Sequence, residues 1–218
     1  MTATPSPPDP TPGYAAQIAE LVAVGAQAVR SGLVVASGGN LSVRGPAAGQ
    51  FTVTSRGSYL DELGERTLSV MTLDGDVVSG PEPSSEWRLH QQTYLVRPDA
   101  AAIVHLHPEY AVLVDAIGEP IRQLTLDHVA YAPRINRIPF YPNGSPELGR
   151  YAAQAAADAD CVVLAHHGCS TLGATPLQAL RRGLNLESAA RATYRLLALG
   201  DRSTEFPPEL RATALHRG

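Results

Sequence analysis

Residues 101–114 read AAIVHLHPEYAVLV, an apolar stretch that contains two histidines one residue apart. Its first half is typical of a buried strand, and a helix is predicted near residues 109–117. Strand side chains alternate between two faces, so His105 and His107 project from the same face, about 7 Å apart along it. Two imidazoles at that spacing can reach one cation. The alternative is a pair of structural histidines on a solvated face, although apolar flanks make unpaired buried imidazoles costly.

A third candidate imidazole ends a second apolar stretch, CVVLAHHG at 161–168. His166 and His167 are adjacent and face opposite ways in an extended chain, so at most one of them is expected to join the first pair. Three imidazoles with an open fourth position are typical of a catalytic zinc, which acts as a Lewis acid. Spacing alone leaves both a metal site and the structural alternative open.

Glu86 follows two serines, and either Ser84 or Ser85 is expected to cap a helix that begins there. The N–H groups and the dipole of a helix start help to hold a carboxylate. Glu86 can serve as a fourth metal ligand, as a general base or as an ordinary first-turn charge. His90 lies four positions later, where it can pair with Glu86 on the same helical face.

The other segments predict an α/β sandwich with a mixed sheet, because helices and strands follow one another without strict βαβ alternation. Residues 118–144 are rich in proline and are predicted to be irregular, with short strands at most. We expect one domain over residues 14–218, after a disordered lead-in at 1–13. Helical patterns cover 14–32, the segment after Ser145-Pro146 and the long segment after Thr175-Pro176, and strands are predicted at 41–43, at 51–55 and on both sides of Asp74-Gly75.

Composition excludes several classes of partner. The net charge of −4 offers no basic surface for nucleic acid or an anionic membrane, and no apolar run reaches the ~20 residues of a membrane span. The start of the chain lacks the features of a secretory signal, and two cysteines are too few for a disulfide framework. We therefore expect a reduced, cytoplasmic protein. All 17 basic residues are arginine, so Schiff-base chemistry on a lysine amine is excluded.

Three loops offer the materials of an anion site: GGN at 38–40, SRG at 55–57 and the serine pair at 84–85. Each exposes backbone N–H groups beside small hydroxyl or amide donors, and the serine pair precedes a predicted helix. Ordinary turn chemistry is the alternative for any one loop. Arg56 favours an anionic ligand, since a guanidinium suits phosphate or carboxylate.

Taken together, these segments resemble the class II aldolase/adducin family. The resemblance runs in order from about Leu33 to Gly173, and the combination of PSSE, H-x-H and HHG is specific. Its landmarks are GGNLSVR, TSRG, PSSEWRLH, RPDAAAIVHLHP, NGSPEL and HHG. The resemblance implies a three-layer α/β/α sandwich with a mainly antiparallel sheet, and a C4 tetramer with active sites at subunit interfaces.

The resemblance also implies roles for individual residues. His105, His107 and His167 would bind one zinc ion per chain, and Glu86 would be the catalytic acid/base. His166 would then be structural. The substrate's phosphate would lie against five residues: Asn40, Ser55, Gly57, Ser84 and Ser85.

Two features depart from the family pattern. Arg56 stands inside the phosphate loop, where it either contacts the substrate's anion or faces solvent or a neighbouring subunit. The family's interfacial tyrosine, which donates a proton to the leaving aldehyde, has no clear counterpart in LTLDHVAYAP at 124–133. Tyr131 and His128 are the nearest groups that can donate a proton, and they are the expected catalytic partners.

The function expected on these grounds is a zinc-dependent aldolase, which cleaves a phosphorylated ketose to dihydroxyacetone phosphate and an aldehyde. A sugar-phosphate 4-epimerase is a second possibility, although members with that activity usually carry aspartate in place of Glu86. A decarboxylase of a 3-oxo-acid phosphate is a third, because it needs the same stabilised enolate. An adducin-like binding domain is the non-catalytic alternative, and retention of the three histidines argues against it.

Overall fold

The computed structural model describes residues 13–215, so residues 216–218 and the predicted lead-in, apart from Gly13, lie outside the described residues. Within residues 13–215 the helices are α1 (Tyr14–Arg30), α2 (Trp87–Val96), α3 (Glu109–Ala116), α4 (Leu126–Tyr131), α5 (Pro146–Ala156), α6 (Pro176–Ala198) and α7 (Arg211–Leu215). The strands of the same range are β1 (Asn40–Arg44), β2 (Gln50–Thr54), β3 (Leu68–Thr72), β4 (Val77–Ser79), β5 (Ala102–Leu106), β6 (Ile135–Ile138), β7 (Cys161–Leu164) and β8 (Gly168–Gly173).

The strands of the described range form one eight-stranded sheet in the order β4-β3-β2-β1-β5-β8-β7-β6. Every neighbouring pair is antiparallel except β6 and β7, which are parallel. The predicted hairpin at Asp74-Gly75 is confirmed as the turn between β3 and β4. The sheet is thus mixed and mainly antiparallel.

Helices cover both faces of this sheet. α1 and α6 pack on one face and α2 and α5 on the other, while α3 and α4 lie against α6. β5 shows why both faces are buried: Val104 and Leu106 join the core under α1 and α6, whereas Ile103 joins the core under α2 and α5. Leu106 is fully buried, so its replacement by alanine would cost about 2–5 kcal/mol. The predicted three-layer α/β/α sandwich is confirmed.

Local signals explain where several helices begin. The Ser145 side chain accepts a hydrogen bond from the backbone N–H of Leu148, and Pro146 occupies the first turn of α5, as predicted. Residues 118–144 contain the short edge strand β6, which the prediction allowed, and the helix α4, which it did not. Among residues 13–215, none of the helices combines the length and hydrophobicity that a bilayer-spanning helix needs.

Candidate metal centre and substrate cleft

The segments that carry the candidate site meet at one end of the central strands of the sheet. β1 pairs antiparallel with both β2 and β5, and β8 pairs antiparallel with β5. The start of β1, the ends of β2 and β5 and the start of β8 therefore lie side by side. Asn40 is opposite His105 across β1 and β5, and His105 is opposite Ser170 across β5 and β8.

Three imidazoles converge at this end of the central strands. His105 is the fourth residue of β5, His107 follows the strand, and His167 lies in the turn before β8. The Nε2 atoms of His105 and His107 are 3.0 Å apart, and the three ring centroids are separated by 4.8, 4.9 and 5.1 Å. The rings of His105 and His107 lean toward each other, so their centroids are closer than the spacing of about 7 Å along an extended strand. β5 ends at Leu106, and the backbone N–H of His107 donates to Leu33 instead of to a neighbouring strand.

The turn between β7 and β8 decides which histidine joins. His166 is exposed and has a φ of 56°, in the left-handed region that non-glycine residues rarely adopt. This conformation tightens the turn and brings His167 to the site, in agreement with the expectation that only one of the pair would take part. Gly168 follows directly, and a Cβ there would lie 2.2 Å from the carbonyl oxygen of Leu106. Only glycine allows the two strand ends to approach so closely.

Glu86, just before α2, places its carboxylate beside the same imidazoles. Its carboxylate is buried, with Oε2 3.1 Å from Nε2 of His105 and Oε1 3.3 Å from Nε2 of His167. The expected serine cap is wrong: α2 begins at Trp87 and Glu86 itself is the N-cap. Ser84 lies two residues earlier, beside the end of β2, where its backbone N–H donates to the carbonyl oxygen of Thr54 and its hydroxyl accepts from the backbone N–H of Glu86.

Charges within the cluster are strongly coupled. Burial acts to raise the pKa of Glu86, but the neighbouring imidazoles of His105 and His167 and the amide of Asn40 together hold it below its ordinary value. Burial acts to lower the pKa of His105, yet contact with the Glu86 carboxylate raises it. Burial lowers the pKa of His107 to about 3 and that of His167 to about 4. The last two rings are therefore neutral and keep the lone pairs that metal ligands need.

The donor set fits a divalent metal ion. One ligand atom from each of Glu86, His105, His107 and His167 lies within 4.8 Å of all the others. Zinc bonds of about 2.0–2.1 Å place tetrahedral ligand atoms roughly 3.3 Å apart, close to the separations seen here. The Nδ1–H of His105 donates to the backbone oxygen of Cys169 at 2.9 Å, which leaves its Nε2 lone pair facing the cluster. Among the described residues, the buried Oε1 of Glu86 has no hydrogen-bond partner.

Beside this cluster lies a polar cleft of about 210 Å³. It contains all six predicted substrate-binding residues, together with Glu86 and His107. Its lining consists of Ser37, Gly38, Gly39, Asn40, Ser55, Arg56, Gly57, Ser58, Ser84, Ser85, Glu86, His107 and Asn143. Sequence reasoning missed Ser37, Ser58 and Asn143 as site residues. Asn143 opens the NGSPEL landmark, which was the signal available for it.

The side chains in the cleft are mostly engaged with one another. The hydroxyls of Ser55 and Ser58 are 2.7 Å apart, and the Ser85 hydroxyl donates to Oδ1 of Asn143 at 3.3 Å. Arg56 lies at the rim, where its guanidinium forms an exposed ion pair with Glu82 at 2.9 Å. This position favours the solvent-facing alternative for Arg56.

The two expected proton donors lie elsewhere in the chain. Neither Tyr131 nor His128 lines the cleft; both belong to α4, which packs on α6. Nδ1 of His128 accepts from the backbone N–H of Leu124, and its Nε2 is 3.2 Å from the Ser188 hydroxyl. A single chain therefore does not bring these groups to the metal centre.

Comparison with known proteins agrees with this geometry. The family model described as the class II aldolase and adducin N-terminal domain matches residues 19–194. The chain belongs to this family. Other members of the class II aldolase and adducin family carry out different reactions. The L-fuculose phosphate aldolase of Methanocaldococcus jannaschii is 34% identical over 73% of this chain and 86% of its own length.

A second family member, the 3-oxo-tetronate 4-phosphate decarboxylase of Haemophilus influenzae, is 31% identical over 81% of this chain and 86% of its own length. The solved structure of YgbL from Klebsiella pneumoniae is 30% identical, with a TM-score of 0.83 over 92% of this chain and 98% of that one. Family membership thus accounts for the fold and for a divalent metal, and it leaves the reaction to be argued from the site.

Proposed function

We propose that this protein is a zinc-dependent aldolase that cleaves a phosphorylated ketose to dihydroxyacetone phosphate and an aldehyde. The observation that carries the proposal is the convergence of three imidazoles and one buried carboxylate beside a polar cleft. The name of the Methanocaldococcus jannaschii relative supports it. Because the chain contains no lysine, a lysine Schiff base cannot be the electron sink that carbon–carbon cleavage requires, and in this proposal the metal takes that role.

In this proposal, His105, His107 and His167 hold the ion. Nitrogen ligands in this number are typical of catalytic zinc, one ion per chain. When bound, the ion supplies a positive charge that stabilises the negative charge developing on the substrate's carbonyl oxygen.

Glu86 handles the proton. Its Oε2 accepts a hydrogen bond from the amide of Asn40 at 2.8 Å, and this bond fixes the carboxylate against the wall. Oε1 has no hydrogen bond among the described residues, and Nε2 of His167 lies 3.3 Å from it. In this proposal the ion holds the His167 lone pair, and Oε1 is the oxygen that takes a proton from the substrate carbon and returns it.

Neutral donors bind the phosphate. Gly57 and Ser85 line the cleft, and their backbone N–H groups have no acceptor within residues 13–215. Ser85 also lies one residue before Glu86, the N-cap of α2, at the end of the helix where the dipole favours an anion. Ser55, Ser84 and Asn40 complete the set of proposed contacts.

The proton donor for the aldehyde oxygen then has to come from outside the cleft of one chain. We infer a homotetramer in which Tyr131 or His128 of a neighbouring subunit completes the site, in the reduced cytoplasm. Light scattering at working concentration measures the assembly. An active monomer would place the donor within one chain and contradict this arrangement.

Decarboxylation of a 3-oxo-acid phosphate is the second candidate. It is supported by the name of the Haemophilus influenzae relative. One observation favours it: no tyrosine lines the cleft of the described chain, and loss of carbon dioxide needs no acid at an aldehyde oxygen. The zinc ligands and Glu86 would have the same roles.

One set of experiments tests the metal and separates the two reactions. Protein purified without chelator is analysed for zinc, then incubated with a panel of phosphorylated ketoses and with a 3-oxo-acid phosphate. We expect near one zinc per chain and release of dihydroxyacetone phosphate. His105→Ala should lose the metal, whereas Glu86→Gln should keep it and turn over ~10²–10⁴-fold more slowly. Glu82→Gln, at the cleft rim, is the matched control.

The outcomes are distinct. Carbon dioxide release without aldehyde would replace the aldolase by the decarboxylase. Metal content that His105→Ala leaves unchanged would remove the metal site. Near-normal turnover by Glu86→Gln would show that another group handles the proton, and loss of zinc in that variant would make Glu86 chiefly a ligand.

A further inference from the structure

Behind the candidate site, a chain of hydrogen bonds runs through the core from α2 to Glu86. The hydroxyls of Tyr94 and Ser42 are 2.9 Å apart, and the Ser42 hydroxyl is 2.7 Å from Nδ1 of His90. Nε2 of His90 is 2.5 Å from Oδ1 of Asn40, whose Nδ2 lies 2.8 Å from Oε2 of Glu86. All five side chains are buried, and those of Ser42 and His90 have no solvent-exposed surface.

The proton positions along this chain follow from its end. The carboxylate of Glu86 only accepts, so the Asn40 amide presents its NH₂ to Glu86 and its oxygen to His90. His90 therefore carries its hydrogen on Nε2. Burial lowers the pKa of His90 to about 3, so the ring is neutral and its Nδ1 is a bare acceptor. The hydroxyl of Ser42 then donates to Nδ1.

Tyr94 donates in the same direction, toward Glu86. With the Ser42 hydrogen committed to His90, the Ser42 oxygen accepts from the Tyr94 hydroxyl. Burial raises the pKa of Tyr94, so the phenol keeps its proton. Every hydrogen in the chain points toward Glu86, and aligned bonds of this kind polarise and strengthen one another.

This arrangement differs from the expected one, in which His90 pairs directly with Glu86. Glu86 is the N-cap and lies outside the helical turns, so the i to i+4 geometry does not hold for this pair. Asn40 occupies the space between them. The amide of Asn40 can rotate by half a turn at little cost in shape, and two contacts oppose this rotation: the Glu86 carboxylate on one side and the Nε2–H of His90 on the other.

We propose that His90 is a positioning residue that, through Asn40, holds Glu86 with Oε2 bound and Oε1 free to exchange a proton with the substrate. The proposal rests on the proposed function for the role of Oε1. It does not rest on that function for the orientation of the chain.

A purely structural role would not need this pattern. Buried polar groups that only satisfy one another are replaceable by apolar residues of similar shape at little cost. This chain instead ends on the one carboxylate of the metal cluster, and rotation of the Asn40 amide would place its oxygen against Oε2 of Glu86. Outer-shell partners of metal ligands typically change activity or metal affinity by about 10–100-fold when removed. Asn40 contacts Glu86 directly, and His90 acts one step further out, through Asn40.

Kinetics with four variants test the role. His90→Leu removes the donor, and we expect kcat to fall about 10–100-fold with KM within about twofold. His90→Gln keeps an N–H donor near the same place and should restore most of kcat. Tyr94→Phe removes only the far end and should have the smallest effect of the three. Thr93→Val, on the same helix, removes a buried hydroxyl that bonds to Leu89 and should leave kcat unchanged.

The result that would overturn the proposal is a His90→Leu variant that is less stable but keeps the wild-type kcat per folded, zinc-loaded chain. Equal kcat losses in His90→Leu and His90→Gln would also overturn it, because rescue by a donor is what distinguishes positioning from packing.

A second measurement does not depend on activity. Long-range ¹H–¹⁵N spectra of histidine-labelled protein distinguish the two neutral tautomers. His90 should carry its hydrogen on Nε2, whereas His105 should carry it on Nδ1, where it donates to Cys169. Ser42→Ala should leave the His90 tautomer unchanged, because the Asn40 oxygen still accepts from Nε2. An Nδ1–H tautomer at His90 in the wild type would overturn the chain even if His90→Leu does not fold.

The two failures are distinguishable. If the wild type turns over none of the substrates, the proposed function fails, while the tautomers still report on the chain. If the wild type is active and His90 has the wrong tautomer, only the positioning role fails.

Discussion

Gly168→Ala should damage the metal centre without touching any ligand. A Cβ at Gly168 would lie 2.2 Å from the carbonyl oxygen of Leu106 and 2.8 Å from Cδ2 of His107. Real Cβ atoms essentially never approach closer than 3.0 Å, so the end of β5 and the start of β8 have to separate by at least 0.8 Å, the difference between 2.2 and 3.0. Overpacking of this kind costs about 1–3 kcal/mol of stability.

We expect the larger effect of Gly168→Ala on the affinity for the metal ion. The separation occurs between the two segments that supply His107 and His167, and metal sites tolerate deviations of only about 0.2 Å in ligand distance. We expect zinc affinity to fall by about 10–100-fold, in line with the loss of a group that orients a ligand. At free zinc of 100 times the wild-type Kd, the metal stabilises the wild type by about 2.7 kcal/mol; a 100-fold weaker site would keep about 0.4 kcal/mol.

The assay is a zinc titration of metal-free protein against a chromophoric chelator, followed by thermal unfolding with and without zinc. Gly64→Ala is the matched control, because Gly64 has extended backbone and a Cβ there meets nothing within 4 Å. Wild-type zinc affinity in Gly168→Ala would refute the reasoning that close approach of β5 and β8 holds the imidazoles together.

Three further predictions concern regions outside the ligand set. Arg56→Ala should change KM for a phosphorylated ketose by less than about threefold, because the guanidinium is paired with Glu82 at the surface; a large rise in KM in steady-state kinetics would place it on the substrate. Burial raises the pKa of Cys161 to about 12, so its thiol should react with an aromatic disulfide reagent at pH 8 only after unfolding, and fast reaction in native buffer would contradict that burial. Arg97→Ala should lower the free energy of unfolding in urea by roughly 2 kcal/mol while kcat stays unchanged, because Arg97 bonds both Asp160 and the end of α5; an unchanged unfolding midpoint would show that these bonds contribute nothing.

The sequence predicted much of this arrangement because its chemistry is local. H-x-H on an apolar strand places two imidazoles together, and HHG at a strand end supplies the third. The strand β8 and the helix α4 were not predictable from local sequence. β8 reads GCSTLG, with too few apolar residues to indicate a strand; it is one because it pairs on both sides with β5 and β7. α4 was hidden among the prolines of 118–144.

Contacts between distant segments account for the remaining errors. A helix start was predicted at Ser84 or Ser85 from their capping preference, but Pro83 is bridged to Ser55 and Ser84 bonds to Thr54, so the chain turns at Ser85 and the helix begins only at Trp87. His90 was assigned to Glu86 by helical spacing, and the interposed Asn40 comes from β1, far away in the chain. Neither contact leaves a signal in the residues next to it.

The gathering of the ligands at one end of the central strands also sets the order of events during folding. His105 and His107 are neighbours in any state of the chain, but His167 joins them only when β5 and β8 have paired, and that pairing closes a long loop. In an unfolded chain, His105 and His107 are the pair within this ligand set that the sequence keeps close together. Interactions that form after the rate-limiting step slow unfolding and leave the folding rate unchanged. A metal ion that binds only after this pairing should accordingly lower the unfolding rate and prolong the lifetime of the folded chain.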